Sequence, residues 1–375
     1  MTEFEKIRPY NDDEVNEVLK EFANHPMFKA LLQFTFPEKS FEEIKEILAG
    51  CHSIFDFQTK VIYNSIQKVL EKSTDGLSTS GFDTLDKNTS YLYLSNHRDI
   101  ILDTSFINVA LFEHEQKMTA SAIGDNLVHK PFLMALSRLN RNFLVQRSLS
   151  PREMLRSSQI LSKYIFYLLK EKKQSIWLAQ REGRTKDGND KTQQGVLKML
   201  ALAKAKETDV ISYLKTLNIV PVAISYEFDP TDILKVPELV AKNMDVEYVK
   251  SNNEDFNSIL QGALGQKKRV HIAVGSLDES IYENIKAMDV SENDKLQALA
   301  SAIDKEIYKL YKLWPSNYVA MDLLTDSDKY SYAYTAKDMR HFQRRLERRI
   351  DCSDAVAKES FLSMYANPVK NRENN

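Results

Sequence analysis

The segment Ser95-Asn96-His97-Arg98-Asp99-Ile100-Ile101-Leu102-Asp103 sets one imidazole close to two carboxylates. An imidazole works as a general base near neutral pH when a carboxylate fixes its tautomer and stabilises the imidazolium that forms. Such a base contributes about 10²–10⁴-fold to a rate. His97 is therefore the candidate base, and Asp103 or Asp99 the candidate orienter. Alone, the segment reads slightly better as a strand-end histidine satisfied by a nearby acid, with Asp103 capping the next helix. His-Arg-Asp also opens the protein-kinase catalytic loop. That loop needs Asn five residues after its Asp and a glycine loop upstream; position 104 is Thr and no such glycine loop occurs.

Three further segments carry chemically useful groups. Asn142-Phe143-Leu144-Val145 is flanked by Arg141 and Arg147, whose guanidinium groups could grip a phosphate through a bidentate fork. Ser175–Ala179 runs into Gln180-Arg181-Glu182-Gly183-Arg184-Thr185-Lys186, three cations and a carboxylate in a turn that glycine permits. That set suits an anionic substrate. Val220-Pro221-Val222-Ala223-Ile224-Ser225-Tyr226 is an apolar strand whose last two residues emerge at its end. Each segment by itself is equally an ordinary piece of an α/β protein.

The elements that must position them follow from periodicity. Residues 13–33 and 40–72 read as helices, the second opened by the capping box Ser40-Phe41-Glu42-Glu43. Ser73-Thr74-Asp75-Gly76 closes this helical unit. Short apolar runs at 91–94, 118–123, 142–145, 175–179, 219–225 and 269–274 then alternate with helices near 100–112, 131–139, 151–172, 192–206 and 236–243. Ser150-Pro151-Arg152-Glu153 is a strong helix start. Alternating strands and helices predict an α/β fold: a mostly parallel mixed sheet flanked by helices, with an N-terminal helical unit and a helical C-terminal tail. The expected division is 1–75, 76–285 and 286–375. In such sheets sites form at the carboxyl ends of strands, where the polar segments fall.

Composition narrows the class. The chain has 375 residues, a net charge of −2 and 28% charged residues, so nothing draws it as a whole to nucleic acid. Cys51 and Cys352 are its only cysteines, giving no metal spacing and no disulfide framework. The N-terminus, Met-Thr-Glu-Phe-Glu-Lys, lacks the apolar core of a secretory signal. The apolar stretches around 100–112 and 164–169 are too short or interrupted to cross about 30 Å of hydrocarbon. These features predict a cytoplasmic protein, with any lipid contact peripheral, at the inner face of the plasma membrane. One candidate for that contact is Arg340–Ile350, where Phe342, Leu346 and Ile350 recur at helical spacing among five arginines; a packed structural helix is the alternative.

In their order, the four segments resemble the lysophospholipid and glycerol-3-phosphate acyltransferase family. That family has an Asn-His-x4-Asp block, an apolar block ending in Arg, a Glu-Gly-x-Arg-Ser block and a Pro-containing apolar strand. Here they correspond to Ser95–Asp103, Asn142–Arg147, Glu182–Thr185 and Val220–Glu227. Ser80-Gly81-Phe82-Asp83-Thr84-Leu85 is similar to the family's upstream glycine segment, and Gly124-Asp125-Asn126-Leu127 to bacterial glycerol-3-phosphate acyltransferases. The likeness spans about residues 78–280. It implies acyl transfer from acyl-CoA or acyl carrier protein, as co-substrate, to a hydroxyl of glycerol 3-phosphate or its 1-acyl form, with no metal and no bound cofactor. It implies His97 as base, Asp103 or Asp99 as its partner, and Arg98, Arg147, Arg181, Glu182, Gly183 and Arg184 around the acceptor. Two registers depart from the pattern: Leu102 stands five residues after His97, and Arg184 follows Glu182 by two positions rather than three. Another lyso-lipid acceptor, such as an amino-acid lipid, or a non-catalytic lipid- or anion-binding module are the competing readings.

Overall fold

The computed structural model describes residues 3–374. Its N-terminal part is helical: α1 (Asp12–Phe22), α2 (Pro26–Thr35), α3 (Phe41–Ala49), α4 (Ile54–Phe57) and α5 (Tyr63–Ser73), with a π-helical stretch at Gln58–Ile62. The expected helix over 13–33 is broken, because Pro26 starts α2 and holds His25 extended at φ −65°, ψ 130°. The capping box before α3 forms, with Glu43 N donating to Ser40 Oγ and Ser40 N to Glu43 Oε2. These helices bury Val15, Phe28, Cys51 and Phe57 against one another and against Phe132.

The sheet strands are β1 (Thr74–Ser80), β2 (Leu92–Ser95), β3 (Ala120–Gly124), β4 (Asn142–Val145), β5 (Ile176–Ala179), β6 (Ile219–Tyr226) and β7 (Lys268–Val274). They lie in the order β1-β7-β6-β2-β5-β3-β4, and only the β6–β7 pairing is antiparallel. β1 was expected to be a turn closing the helical unit. Its Thr-Asp-Gly-Leu-Ser-Thr-Ser has little apolar pattern, and it is a strand because β7 supplies its ladder along one edge. Crossovers run through α6 (Leu102–Glu113), α7 (Pro131–Leu139), α8 (Pro151–Lys170), α9 (Gln194–Ala201) and α10 (Val210–Thr216), then α11 (Asp232–Asn243) and α12 (Glu254–Leu264) between β6 and β7.

Helices cover both faces of the sheet, so the central strands are apolar at nearly every position. Leu92, Leu94, Ile176 and Leu178 pack with α8, α9 and α10 on one face. Tyr93, Trp177, Val222 and Ile224 pack with α5 and α6 on the other. After β7 come α13 (Glu279–Ala287), α14 (Glu292–Leu310), α15 (Pro315–Thr325), α16 (Ala336–Arg349) and α17 (Ala355–Glu373). α14 lays Leu299, Ile303 and Ile307 into the first face, whereas α15, α16 and α17 form a cluster with α11.

The arginine-rich stretch is α16, and the structure settles it as a packed helix. Phe342 and Leu346 are buried in the cluster with α17. Arg345 donates to Asp232 Oδ2 at 2.7 Å, and Arg349 approaches the same carboxylate. With its apolar face turned inward, α16 has none to offer to lipid.

Candidate functional site

β2 ends at Ser95, and side chains carry its pairing a residue further. Asn96 donates to the Ile224 carbonyl at 2.9 Å and accepts from the Ile224 amide at 2.8 Å, which ties the strand end to β6. The loop after β5 is tied in the same way: Gln180 N donates to Ser95 O and Thr185 N to His97 O, both at 2.8 Å. His97 thus sits on a backbone clamped from two neighbouring strands.

Its ring is clamped too. His97 Nδ1 is 2.7 Å from Asp103 Oδ2. The same oxygen accepts the Arg98 and Asp99 amides at 2.6 and 3.0 Å, and Asp103 Oδ1 accepts the Tyr226 hydroxyl at 2.8 Å. Burial, with Asp103 nearby, holds the Tyr226 phenol well above its ordinary value, so it remains a donor. Asp103 lies in the first turn of α6, where the helix dipole favours a carboxylate. Four donors thus face one fully buried carboxylate. The edge of the imidazole meets Trp177 at 5.3 Å between ring centroids, and Trp177 Nε1 donates to Ser95 Oγ. The His97 side chain remains 14% exposed, and Nε2 has no hydrogen-bond partner among the described residues.

Asp99 has a different task. Its Oδ1 accepts from Ile101 N and Leu102 N, so it caps the entry to α6 and does not hold His97. Its Oδ2 is buried without a partner and pressed against Gly262 of α12, where an added Cβ would fall 2.1 Å away. Burial, then Asp103, raises the Asp99 carboxyl above its usual range. Arg98 is a correction. It was expected at the substrate, but both of its terminal nitrogens bond Asp190 at 2.5 Å and its side chain is buried beside Tyr311. His97 and Arg98 face opposite sides of the sheet layer, one toward Trp177 and the other toward Tyr311. The alternation of side chains at a strand end produces this split.

The remaining cations form a rim. Arg147 pairs with Glu182, joining the loops after β4 and β5, while its own amide bonds Asp125. Gly183 takes φ +69°, a left-handed turn that glycine adopts without cost. Arg181 makes one long bond, to the Glu182 carbonyl at 3.4 Å. Arg184 reaches Ser258 of α12 at 3.5 Å, and its Nη1 is buried with no partner. Lys186 stands among the three cations that the sequence placed in this turn, whereas Lys235 and Asp190 were missed. Lys186 pairs with Glu238; burial, then Arg184 and Lys250, pull its ammonium down to about 8. Buried Lys235 bonds Asp229 and the Arg98 carbonyl. No local pattern marks Lys235 and Asp190, because the contacts that join them to this site, with the Arg98 carbonyl and the Arg98 guanidinium, span most of the domain. A polar cleft of ≈ 470 Å³ lies elsewhere, lined by Asn189, Lys191, Asp304 and Asn367. Among the described residues no group of three His, Cys, Asp or Glu side chains could hold a metal ion, and no helix is long and apolar enough to cross a membrane.

Comparison with known proteins gives one family match, which spans the first three segments and part of the fourth. Residues 77–225 match the model of the family described as Acyltransferase. The match begins in β1 and ends at Ser225, one residue before Tyr226. No curated protein matches the sequence. Among solved structures, the crystal structure of the 1-acyl-sn-glycerophosphate (LPA) acyltransferase PlsC from Thermotoga maritima is similar at 11% identity, with a TM-score of 0.38, over 80% of this chain and 94% of that one.

Proposed function

We propose that this chain, whose residues 77–225 match the acyltransferase family model, moves a fatty acyl group from a thioester donor to a hydroxyl of glycerol 3-phosphate or 1-acylglycerol 3-phosphate. The observation that carries this reading is the buried Asp103 carboxylate on His97 Nδ1, which leaves Nε2 as the free lone pair at a half-open strand end. The acceptor hydroxyl gives its proton to Nε2 as its oxygen attacks the thioester carbonyl carbon. The tetrahedral intermediate then expels the thiolate, which takes the proton back from the imidazolium. Asp103 stabilises the imidazolium between these steps. Arg184, Arg181, Lys186 and Arg147 supply positive charge for the acceptor phosphate. The donor is an acyl-CoA or an acyl carrier protein, and the setting is phospholipid synthesis on the cytoplasmic side of a membrane.

One observation favours a second acceptor. Arg98 is tied to Asp190 and Arg147 to Glu182, so fewer cations stand free than the segments promised. A lyso-lipid with less anionic charge, such as an amino-acid lipid, meets that rim better than a phosphate monoester does.

The test is thiol release from acyl-CoA with glycerol 3-phosphate, its 1-acyl form and an amino-acid lyso-lipid in parallel. His97→Ala should lower turnover by about 10²-fold or more with the preferred acceptor. Cys51→Ala should keep it, since Cys51 is buried and its thiol is pushed up to about 11 by that burial. Full activity in His97→Ala would sink the mechanism. Wild-type protein that binds these lipids yet releases no thiol would make the chain a binding module.

A further inference from the structure

Helix α8 overhangs the body of the protein. Its first six residues, 151–156, are all exposed, and its first buried residue is Leu161. Within the overhang Met154 and Leu155 are 54% and 56% exposed. An amphipathic helix normally turns such side chains onto a core. Arg152 and Arg156 flank them and make no ion pair or hydrogen bond among the described residues. Cations in the opening turns of a helix work against its dipole, so helix stability does not account for these arginines. The one acid nearby, Glu153, is taken up in capping Ser150. The overhang follows β4 and the Arg147–Glu182 pair, at the same end of the sheet as His97.

We propose that this overhang docks the protein on an anionic lipid bilayer, with Met154 and Leu155 seated among the acyl chains and Arg152 and Arg156 against headgroup phosphates. A lipid surface fits better than a protein partner. A stable protein interface needs roughly 800 Å² of matched surface on each side, and a projecting helix end of two apolar residues offers far less. Insertion into lipid needs apolar side chains and cations but no matched shape. The inference deepens the proposed reading, since it brings the rim around His97 to the layer where a lyso-lipid acceptor resides.

The experiment is sedimentation of the full-length protein with phosphatidylcholine vesicles, with and without phosphatidylglycerol. Wild-type protein should sediment with the phosphatidylglycerol vesicles, and less as salt is raised. The variants Met154→Asp/Leu155→Asp and Arg152→Glu/Arg156→Glu should each lower the bound fraction about tenfold or more. Their thermal unfolding should be unchanged, because the substituted side chains touch no core. Wild-type protein that stays in the supernatant, or variants that bind as well as wild type, would overturn the proposal. So would variants that lose only self-association in light scattering, which would make a second copy the occupant. Thiol release with glycerol 3-phosphate, its 1-acyl form and an amino-acid lyso-lipid separates the two ideas: docking without turnover on any of the three keeps this surface and removes the enzymatic reading.

Discussion

At the scale of the residue, the decisive pair is Asp103 and Asp99, four positions apart and both fully buried. Asp103 gathers His97, two backbone amides and Tyr226, while Asp99 spends its one paired oxygen on the start of α6. The two acids should therefore respond differently to loss of charge. Asp103→Asn keeps the shape but removes the charge that stabilises the imidazolium, and should lower kcat by about 10²-fold or more. Asp99→Asn keeps the capping oxygen and relieves a buried, partner-poor carboxylate, and should change kcat by less than about tenfold. Steady-state thiol release on both variants decides it; equal losses would remove the distinction. His97 and its two candidate partners were legible in the chain as chemistry. Which acid faces the ring was not, because a one-residue change of register in a turn alters its direction and leaves no mark on composition.

At the scale of the element, most helices and strands declare themselves by their own periodicity and caps. α7 and β4 fall at the expected residues, and the Ser150–Glu153 box forms at the start of α8. β1 and α12 do not declare themselves, since one depends on the β7 ladder and the other on its seat against Asp99 and Arg184. α14 shows how an element can hold a group at a cost. Its Asp304 accepts Thr192 N and Oγ1 at 2.7 and 2.6 Å, and burial raises its carboxyl to about 6. A folded-state pKa above the unfolded one gives stability that is present below about pH 4 and is lost as pH rises through about 6. Asp304→Asn keeps the acceptor oxygen and lacks the charge. It should stabilise the fold by about 1–3 kcal/mol at pH 7.5, with the gain shrinking toward pH 4.5. Urea unfolding at the two pH values checks this, and a gain independent of pH would refute it.

At the scale of the whole molecule, the C-terminal helices lie under the site loop. Tyr365 of α17 donates to Asp232, Asn367 donates to the Asp187 carbonyl, and Gly188 rests on the Met364 carbonyl, where a Cβ would fall 2.2 Å away. That loop carries Asp190, which holds Arg98 beside His97. A stop after Asp354 would remove Phe361, Leu362, Tyr365 and Val369 from the core. At about 1.5–3 kcal/mol each, their burial is comparable with the whole margin of about 5–15 kcal/mol on which a folded domain rests. The truncated chain should be insoluble or melt far below wild type, and should lack thiol release. Wild-type turnover from a soluble truncation would show that the tail is dispensable.

The sequence by itself determined the α/β class, the sites of most elements, and four polar segments at strand ends in one order. These depend on local patterning, which a chain carries wherever it is read. Only the tertiary structure decided that Asp103 and not Asp99 faces His97, that Arg98 turns inward to Asp190, and that α16 packs inward while α8 stands clear of the body. Each of the first three outcomes depends on a partner far along the chain, from Tyr226 for Asp103 to Asp232 for Arg345. A side chain's direction is set by what it meets, and residue type and spacing do not contain that.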